Sequence, residues 1–268
     1  MTFNKAFSVA PMMNWTDSHC RYFMRLLNPN ILLYTEMITA DALLFGNKRK
    51  YLQYNDEEHP IALQLGGSDP RKMKQAAIIG ADYGYDEINL NIGCPSDRVQ
   101  QGSFGACLMA KPKLVAECTN AIIEAVNIPV TIKTRIGIDD LDNYDFLCNF
   151  IEIVAASGCS QFIIHARKAI LSGLSPKENR SIPKLNYDRV YRLKSDYKNL
   201  HISVNGGINS VKECEEHLAL LDGVMIGRHA YHQPWFLYEL GILNASHKKS
   251  NTTREDIIEK MYPYIESQ

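Results

Sequence analysis

Glu87-Ile88-Asn89-Leu90-Asn91-Ile92-Gly93-Cys94-Pro95-Ser96 is a short β-rich run that ends in a turn. An amphipathic stretch at 113–126 follows, and then a second run, Val130-Thr131-Ile132-Lys133-Thr134-Arg135. In the middle segment Leu114, Val115, Cys118, Ile122 and Val126 recur near the helical period of 3.6. Strand, helix and strand in that order make one unit of a parallel sheet, whose neighbouring strands need a crossover of this kind.

Working outward, the same texture recurs. Strands are expected at 7–11, 32–37, 61–66, 87–93, 130–135, 162–166, 201–205 and 223–227. Taken together these runs are rich in Ile, Val and Leu without strict alternation, as for strands covered on both faces. A further helix is expected at 144–156, with Phe146, Leu147, Phe150, Ile151 and Val154 on one face. Eight strand–helix units over roughly 230 residues match a (β/α)8 TIM barrel, commonly about 250 residues long. The rival, a doubly wound open sheet, would want a G-x-G-x-x-G turn after an early strand, and the sequence has none.

The 268 residues, 46% hydrophobic and 22% charged, have ordinary globular composition, which excludes disorder, collagen and coiled coil. No apolar run approaches the roughly 18 residues of a membrane span, and residues 1–7 carry no signal-peptide core. Seven cysteines, with no C-x-x-C pair, suit a reducing cytoplasm and give no metal-ligand spacing. A net charge of −1 excludes nucleic-acid binding by bulk charge but leaves room for a local basic patch. A monomer is expected.

Residues 1–240 make up the barrel in this reading, and 241–268 a linker and the start of a small helical domain. The stretch 244–253 is polar, and Thr252 stands three residues before Glu255, a capping-box spacing. Ile257, Ile258, Met261 and Ile265 then give one apolar face, and Pro263 is expected to kink or shorten the helix.

The chemistry-bearing residues fall at the C-terminal ends of the expected strands, the face where barrels build active sites. Asn205-Gly206-Gly207 and Gly227-Arg228 follow strands seven and eight, a common phosphate position; the competing reading is two ordinary turns. Lys133 sits in an apolar strand, so its ammonium needs an anion such as a reduced flavin ring, unless it reaches past the strand end into water. His165 could hydrogen-bond a flavin or a substrate carbonyl, or be a satisfied core histidine. Gln64 and Asn91 are amides suited to the mixed donor and acceptor edge of a flavin or a base. Cys94, between Gly93 and Pro95, is the candidate acid: a thiol near its usual pKa of ~8.5 keeps its proton at neutral pH. Cys107 is its competitor, whereas Cys118, Cys148, Cys159 and Cys214 read as packing. Residues 167–200 hold nine Lys or Arg against three acidic residues, and Lys48-Arg49-Lys50 is a second basic knot. A solvated helix face explains part of this excess; the rest fits a phosphate-rich partner across the barrel mouth.

The segments Ala10-Pro11-Met12-Met13-Asn14-Trp15-Thr16-Asp17, His59 to Pro70, Glu87 to Ser96, Lys133 to Gly137, His165 to Ala169 and Gly173 to Arg180 together resemble the flavin-dependent tRNA-dihydrouridine synthases. The loop Ser175-Pro176-Lys177-Glu178-Asn179-Arg180 is most similar to their A-type branch. The resemblance covers about residues 6–238. It implies an FMN enzyme that reduces the C5–C6 bond of uridines at positions 20 and 20a of the tRNA D loop, with NADPH as electron source. Hydride would pass from flavin N5 to C6 and a proton from Cys94 to C5. By the same resemblance Pro11, Met12, Met13, Gln64, Lys133, His165, Asn205, Gly206, Gly207, Gly227 and Arg228 hold FMN. Asn91 meets the target nucleotide, and Arg180 and Lys184 lie in the loop that meets tRNA. The family continues for several more helices beyond the equivalent of Gln268. Two other readings stand beside this one: a flavin enzyme on a free pyrimidine, like the dihydroorotate dehydrogenases, and a tRNA-binding protein without turnover.

Overall fold

The computed structural model describes residues 6–244 and 252–268. Nine parallel strands form one sheet: β1 (Phe7–Val9), β2 (Leu33–Tyr34), β3 (Ile38–Thr39), β4 (Ile61–Gly66), β5 (Glu87–Ile92), β6 (Val130–Arg135), β7 (Gln161–His165), β8 (His201–Asn205) and β9 (Gly223–Ile226). β2 and β3 both pair with β4 and together make the second of eight staves. β9 pairs with β1, and the circle closes where Val9 N–H donates to Leu32 O at 3.0 Å. All eight expected strands are present; the second, expected over 32–37, is only Leu33–Tyr34, and β3 follows beyond the expected range.

The longer helices lie outside the sheet. Two of them show how local signals fix their ends. The helix Pro70–Tyr83 starts at Asp69, whose side chain accepts from the N–H groups of Arg71 and Lys72, and stops at Gly84 in the left-handed region. The helix Tyr144–Ala155 is capped by Asn143 and buries Leu147, Phe150, Ile151 and Val154, the 3.6-period face. Each such side chain contributes about 1.5–3 kcal/mol by leaving water. The helix expected at 113–126 runs Pro112–Ile123.

The core divides in two. Ile88, Leu90, Ile92, Ile132, Phe162, Ile164, Ile202 and Val204 point outward under the helices in one large cluster. A small separate cluster of Ala10, Leu32, Tyr34, Ala62, Ile163 and Met225 fills part of the barrel interior. The rest of the interior is polar, so β5 does alternate, with Glu87, Asn89 and Asn91 inward. The expectation of strands apolar on both faces is corrected at this point: the inner face carries the chemistry.

Most of the expected linker, 245–251, lies outside the described residues. The last helix, Arg254–Ser267, is capped one residue later than expected, by Thr253 with Asp256 and not Thr252 with Glu255. It runs through Pro263. Its buried residues are Ile257 and Tyr264, while Ile258 and Ile265 face solvent. The expected stripe is corrected because an aromatic anchor sets the rotation: Tyr264 stacks on Tyr22 of the helix Ser18–Leu27 at 3.9 Å, and its hydroxyl meets His19 Nδ1 at 2.6 Å. No helix among the described residues is long and apolar enough to cross a membrane.

Candidate active site

The strand ends converge on a basin of about 1230 Å3. Pro11, Met12, Met13, Gln64, Asn91, Cys94, Lys133, His165, Arg180, Asn205, Gly206, Gly207, Gly227 and Arg228 all line it, so residues spread over more than two hundred positions share one hollow. Lys184 does not; it is exposed on the segment beside the mouth.

Period-two geometry explains the gathering. Residues 89 and 91, 131, 133 and 135, 163 and 165, and 203 and 205 each alternate onto the inner face, and the last of each set reaches the mouth. Lys133 Nζ donates to Asn205 Oδ1 at 2.9 Å, and Asn205 Nδ2 donates to Met225 O at 2.8 Å. Each end of that amide therefore has one protein partner. Burial, helped by the Arg135 charge and opposed by Cys94, pushes the Lys133 ammonium down to about 7. Burial, reinforced by Arg135, Lys133, Arg167 and Arg180, holds His165 well below the usual histidine range, so its ring is neutral at pH 7.

The phosphate-type corner is built from backbone. Gly206 and Gly207 have φ of +112° and +76°, which L side chains rarely adopt. A Cβ on Gly206 would also stand 2.6 Å from His165 Cδ2. A Cβ on Gly227 would meet nothing nearer than Asn205 Nδ2 at 3.9 Å, so that glycine leaves open space for a ligand. Arg228 stands next to it, opening the short helix Arg228–His232.

Asn91 Oδ1 accepts the N–H groups of Cys94 and Gly93 at 2.9 and 3.1 Å, which fixes the turn that carries the thiol. Cys94 Sγ–H donates to Ser96 Oγ at 3.6 Å. Cys107 is not a basin residue: its thiol donates to Phe104 O at 3.1 Å. Cys118, Cys159 and Cys214 are buried and Cys148 half-buried.

Sequence reasoning gave no role to Arg135, Arg98, Ser96, Glu36 or Trp15, which also line the basin, and counted Arg167, another lining residue, only within the basic excess at 167–200. Arg135 is 4% exposed and ties the loops after β5 and β7 together, its Nε donating to Gly93 O at 2.9 Å and its Nη1 to Lys168 O and Asn179 O, each at 3.0 Å. Its signal was present, since it stands two residues after Lys133 on one strand and must share its face. Lys50, Arg98, Lys133, Arg135, Arg167, Arg180 and Arg228 surround the basin, against Glu36 as its one acidic lining residue among the described residues. None of those seven cations forms an ion pair among the described residues. Burial and mutual repulsion lower Arg180, and burial with the nearby Arg228 charge lowers Arg167. Such a donor set lacks an anion.

The basic excess at 167–200 is only partly at the mouth. Lys168 pairs with Asp142, Arg192 with Asp196 and Lys194 with Asp222, and Arg189 donates to Asp142 O. Arg167 and Arg180 alone of the nine line the basin. The helix Tyr187–Asp196 packs on the outside of β8, so its charges fall away from the opening.

Fold and site together define a (β/α)8 barrel whose C-terminal mouth opens on a cation-rich basin. A family model described as dihydrouridine synthase matches residues 8–268, and the chain belongs to the dihydrouridine synthase family. It is 59% identical over 264 residues to a tRNA-dihydrouridine(20/20a) synthase of Shewanella oneidensis, covering 98% of this chain and 78% of that one. A Vibrio vulnificus protein of the same name is 58% identical over 269 residues, covering 100% of this chain and 82% of its own. One from Escherichia coli is 59% identical over 267 residues, covering 97% and 75%. Among solved structures, a complex of 2-naphthoyl-CoA reductase with 2-naphthoyl-CoA superposes with a TM-score of 0.65 at 11% identity, over 88% of this chain and 49% of that one. That likeness bears on the fold alone.

Proposed function

We propose that this chain reduces the C5–C6 bond of uridines at positions 20 and 20a of tRNA, with FMN bound in the basin and NADPH as electron donor. The observation that carries the reading is the gathering of Cys94, Asn91, Gln64, Lys133 and His165 beside a glycine-built corner, in a basin rich in unpaired cations. A flavin phosphate fits Gly206, Gly207, Gly227 and Arg228. Lys133 suits the anionic edge of its ring. Pro11, Met12, Met13, Gln64 and His165 complete the wall, and Asn205 holds Lys133 in place. When bound, FMN supplies hydride for C6 of the uracil.

The chain itself supplies the rest. Cys94 holds a proton at Sγ for C5, which a carboxyl ionised at pH 7 could not do. Ser96 Oγ is placed to donate to the sulfur once that proton has left. Asn91 positions both the Cys94 turn and the base. The base must leave its stack to enter a hollow of this depth. Arg180 and Arg167 at the rim, with Lys184 beside it, meet tRNA phosphates. Residues 1–240 form the catalytic barrel, and 241–268 belong to a helical tRNA-binding part whose helix Arg254–Ser267 docks on Ser18–Leu27.

The test is direct. Purified protein should carry FMN, accept electrons from NADPH, and be reoxidised by unmodified tRNA but not by free uridine. Dihydrouridine should then be mapped at positions 20 and 20a. Turnover on a free pyrimidine, or tRNA binding by a flavin-free protein, would overturn the reading.

A further inference from the structure

Small parallel barrels are usually filled inside by branched apolar side chains. In this one, a continuous run of hydrogen bonds climbs from the closed end to the basin. Tyr34 OH and Thr131 Oγ1 both donate to Glu87 Oε1, at 2.7 and 2.5 Å. Asn89 Nδ2 donates to Thr131 Oγ1 at 2.8 Å, and Gln64 Nε2 to Asn89 Oδ1 at 2.7 Å. Asn91 Nδ2 donates to Gln64 Oε1 at 2.8 Å, and Asn91 Oδ1 takes the Cys94 N–H at 2.9 Å. Sheet register makes this possible, since Gln64 lies opposite Asn89 and Asn89 opposite Thr131.

The run has a direction, and Glu87 sets it. Glu87 is wholly buried, and its Oε1 accepts from both the Tyr34 and the Thr131 hydroxyl. Thr131 therefore spends its single hydrogen downward, so its oxygen accepts from Asn89. Each amide above must then turn its nitrogen down and its oxygen up. Reversing any one would set donor against donor or acceptor against acceptor in a buried place, leaving polar groups unpaired there. At the top, the Asn91 oxygen is spent on the Cys94 turn, and one N–H of each amide is spent below. What Asn91 has left for the basin is N–H, and Gln64 keeps one N–H beside the second lone pair of its oxygen.

We infer that Glu87, through Thr131 and Asn89, is the positioning residue that fixes Gln64 and Asn91 as donors toward ligand carbonyls and holds the Cys94 turn, without touching either ligand. The inference rests on the uridine-reductase reading and deepens it.

Thr131→Val cuts the run without changing charge, Thr131→Ser keeps it, and Glu87→Gln replaces the accepting carboxyl. In folded Thr131→Val and Glu87→Gln, bound FMN should show displaced visible absorption bands and at least fivefold weaker affinity. Single-turnover reoxidation by tRNA should slow at least tenfold, with KM for tRNA changed less than twofold. Thr131→Ser should stay within twofold of wild type on every measure. Should Glu87→Gln fail to fold, Thr131→Val carries the test. Wild-type flavin spectrum and rate in folded Thr131→Val, or a Thr131→Ser variant as impaired as Thr131→Val, overturns the inference alone. A wild-type protein without FMN or tRNA turnover overturns the reading and takes the inference with it.

Discussion

Lys133 Nζ lies 2.9 Å from Asn205 Oδ1, and that neutral amide is the partner the structure gives an ammonium enclosed by the barrel. An amide dipole does not neutralise a charge, and burial accordingly pushes Lys133 down to about 7 from an ordinary 10.5. The basin is thus prepared for an anion.

A pH dependence follows. Between about 7 and 10.5 the unfolded chain holds more protons at Lys133 than the folded one, so stability of the ligand-free protein rises with pH across that window. Lys133→Met should flatten this rise, read from urea unfolding at pH 7, 8 and 9. An anion bound beside Lys133 restores its proton, so FMN binding at pH 8 should take up protons in the native protein and not in Lys133→Met. Calorimetry in buffers of different ionisation enthalpy measures the difference.

The two candidate thiols separate cleanly. Cys94→Ala should accept electrons from NADPH normally and then be reoxidised by tRNA about 100- to 10,000-fold more slowly. Cys107→Ala should reoxidise at nearly the wild-type rate, because its thiol donates to Phe104 O and Cys107 does not line the basin. Stopped-flow absorbance of the flavin decides between them.

Arg135 serves stability as well as the site. Arg135→Met leaves the carbonyls of Gly93, Lys168 and Asn179 without their donor, which should cost about 2–4 kcal/mol in chemical unfolding. Arg135→Lys should recover only part of this, since one ammonium cannot span the three carbonyls.

Rim and outer cations should differ in their response to salt. Arg180→Gln or Arg167→Gln should lower the log–log salt slope of tRNA binding by about 0.7–0.9 each. Arg192→Gln and Lys194→Gln, on ion pairs outside the barrel, should leave it unchanged.

The last helix hangs on one ring. Tyr264→Ala removes both the Tyr22 stack and the His19 hydrogen bond, so backbone amides of Arg254–Ser267 should exchange with deuterium much faster while barrel strands keep their protection.

Sequence alone gave the places of the eight strands and of the helices at 113–126 and 144–156, because β-rich apolar runs and helical period are local properties of the chain, and it set chemistry-bearing residues at the strand ends. The same locality explains its errors. Thr252 and Thr253 are both capable caps, and the choice between them is made by how the helix seats on Tyr22, a residue far away in the chain. The charges at 167–200 are adjacent in sequence, yet only the fold sends Arg167 and Arg180 into the basin and Lys194 outward to Asp222. Arg135 and the run from Glu87 to Asn91 were visible as letters, but their meaning needed a closed sheet. Closure brings the inward-facing residues of neighbouring strands within hydrogen-bond reach, and only there do isolated polar side chains acquire partners, direction and shifted charge.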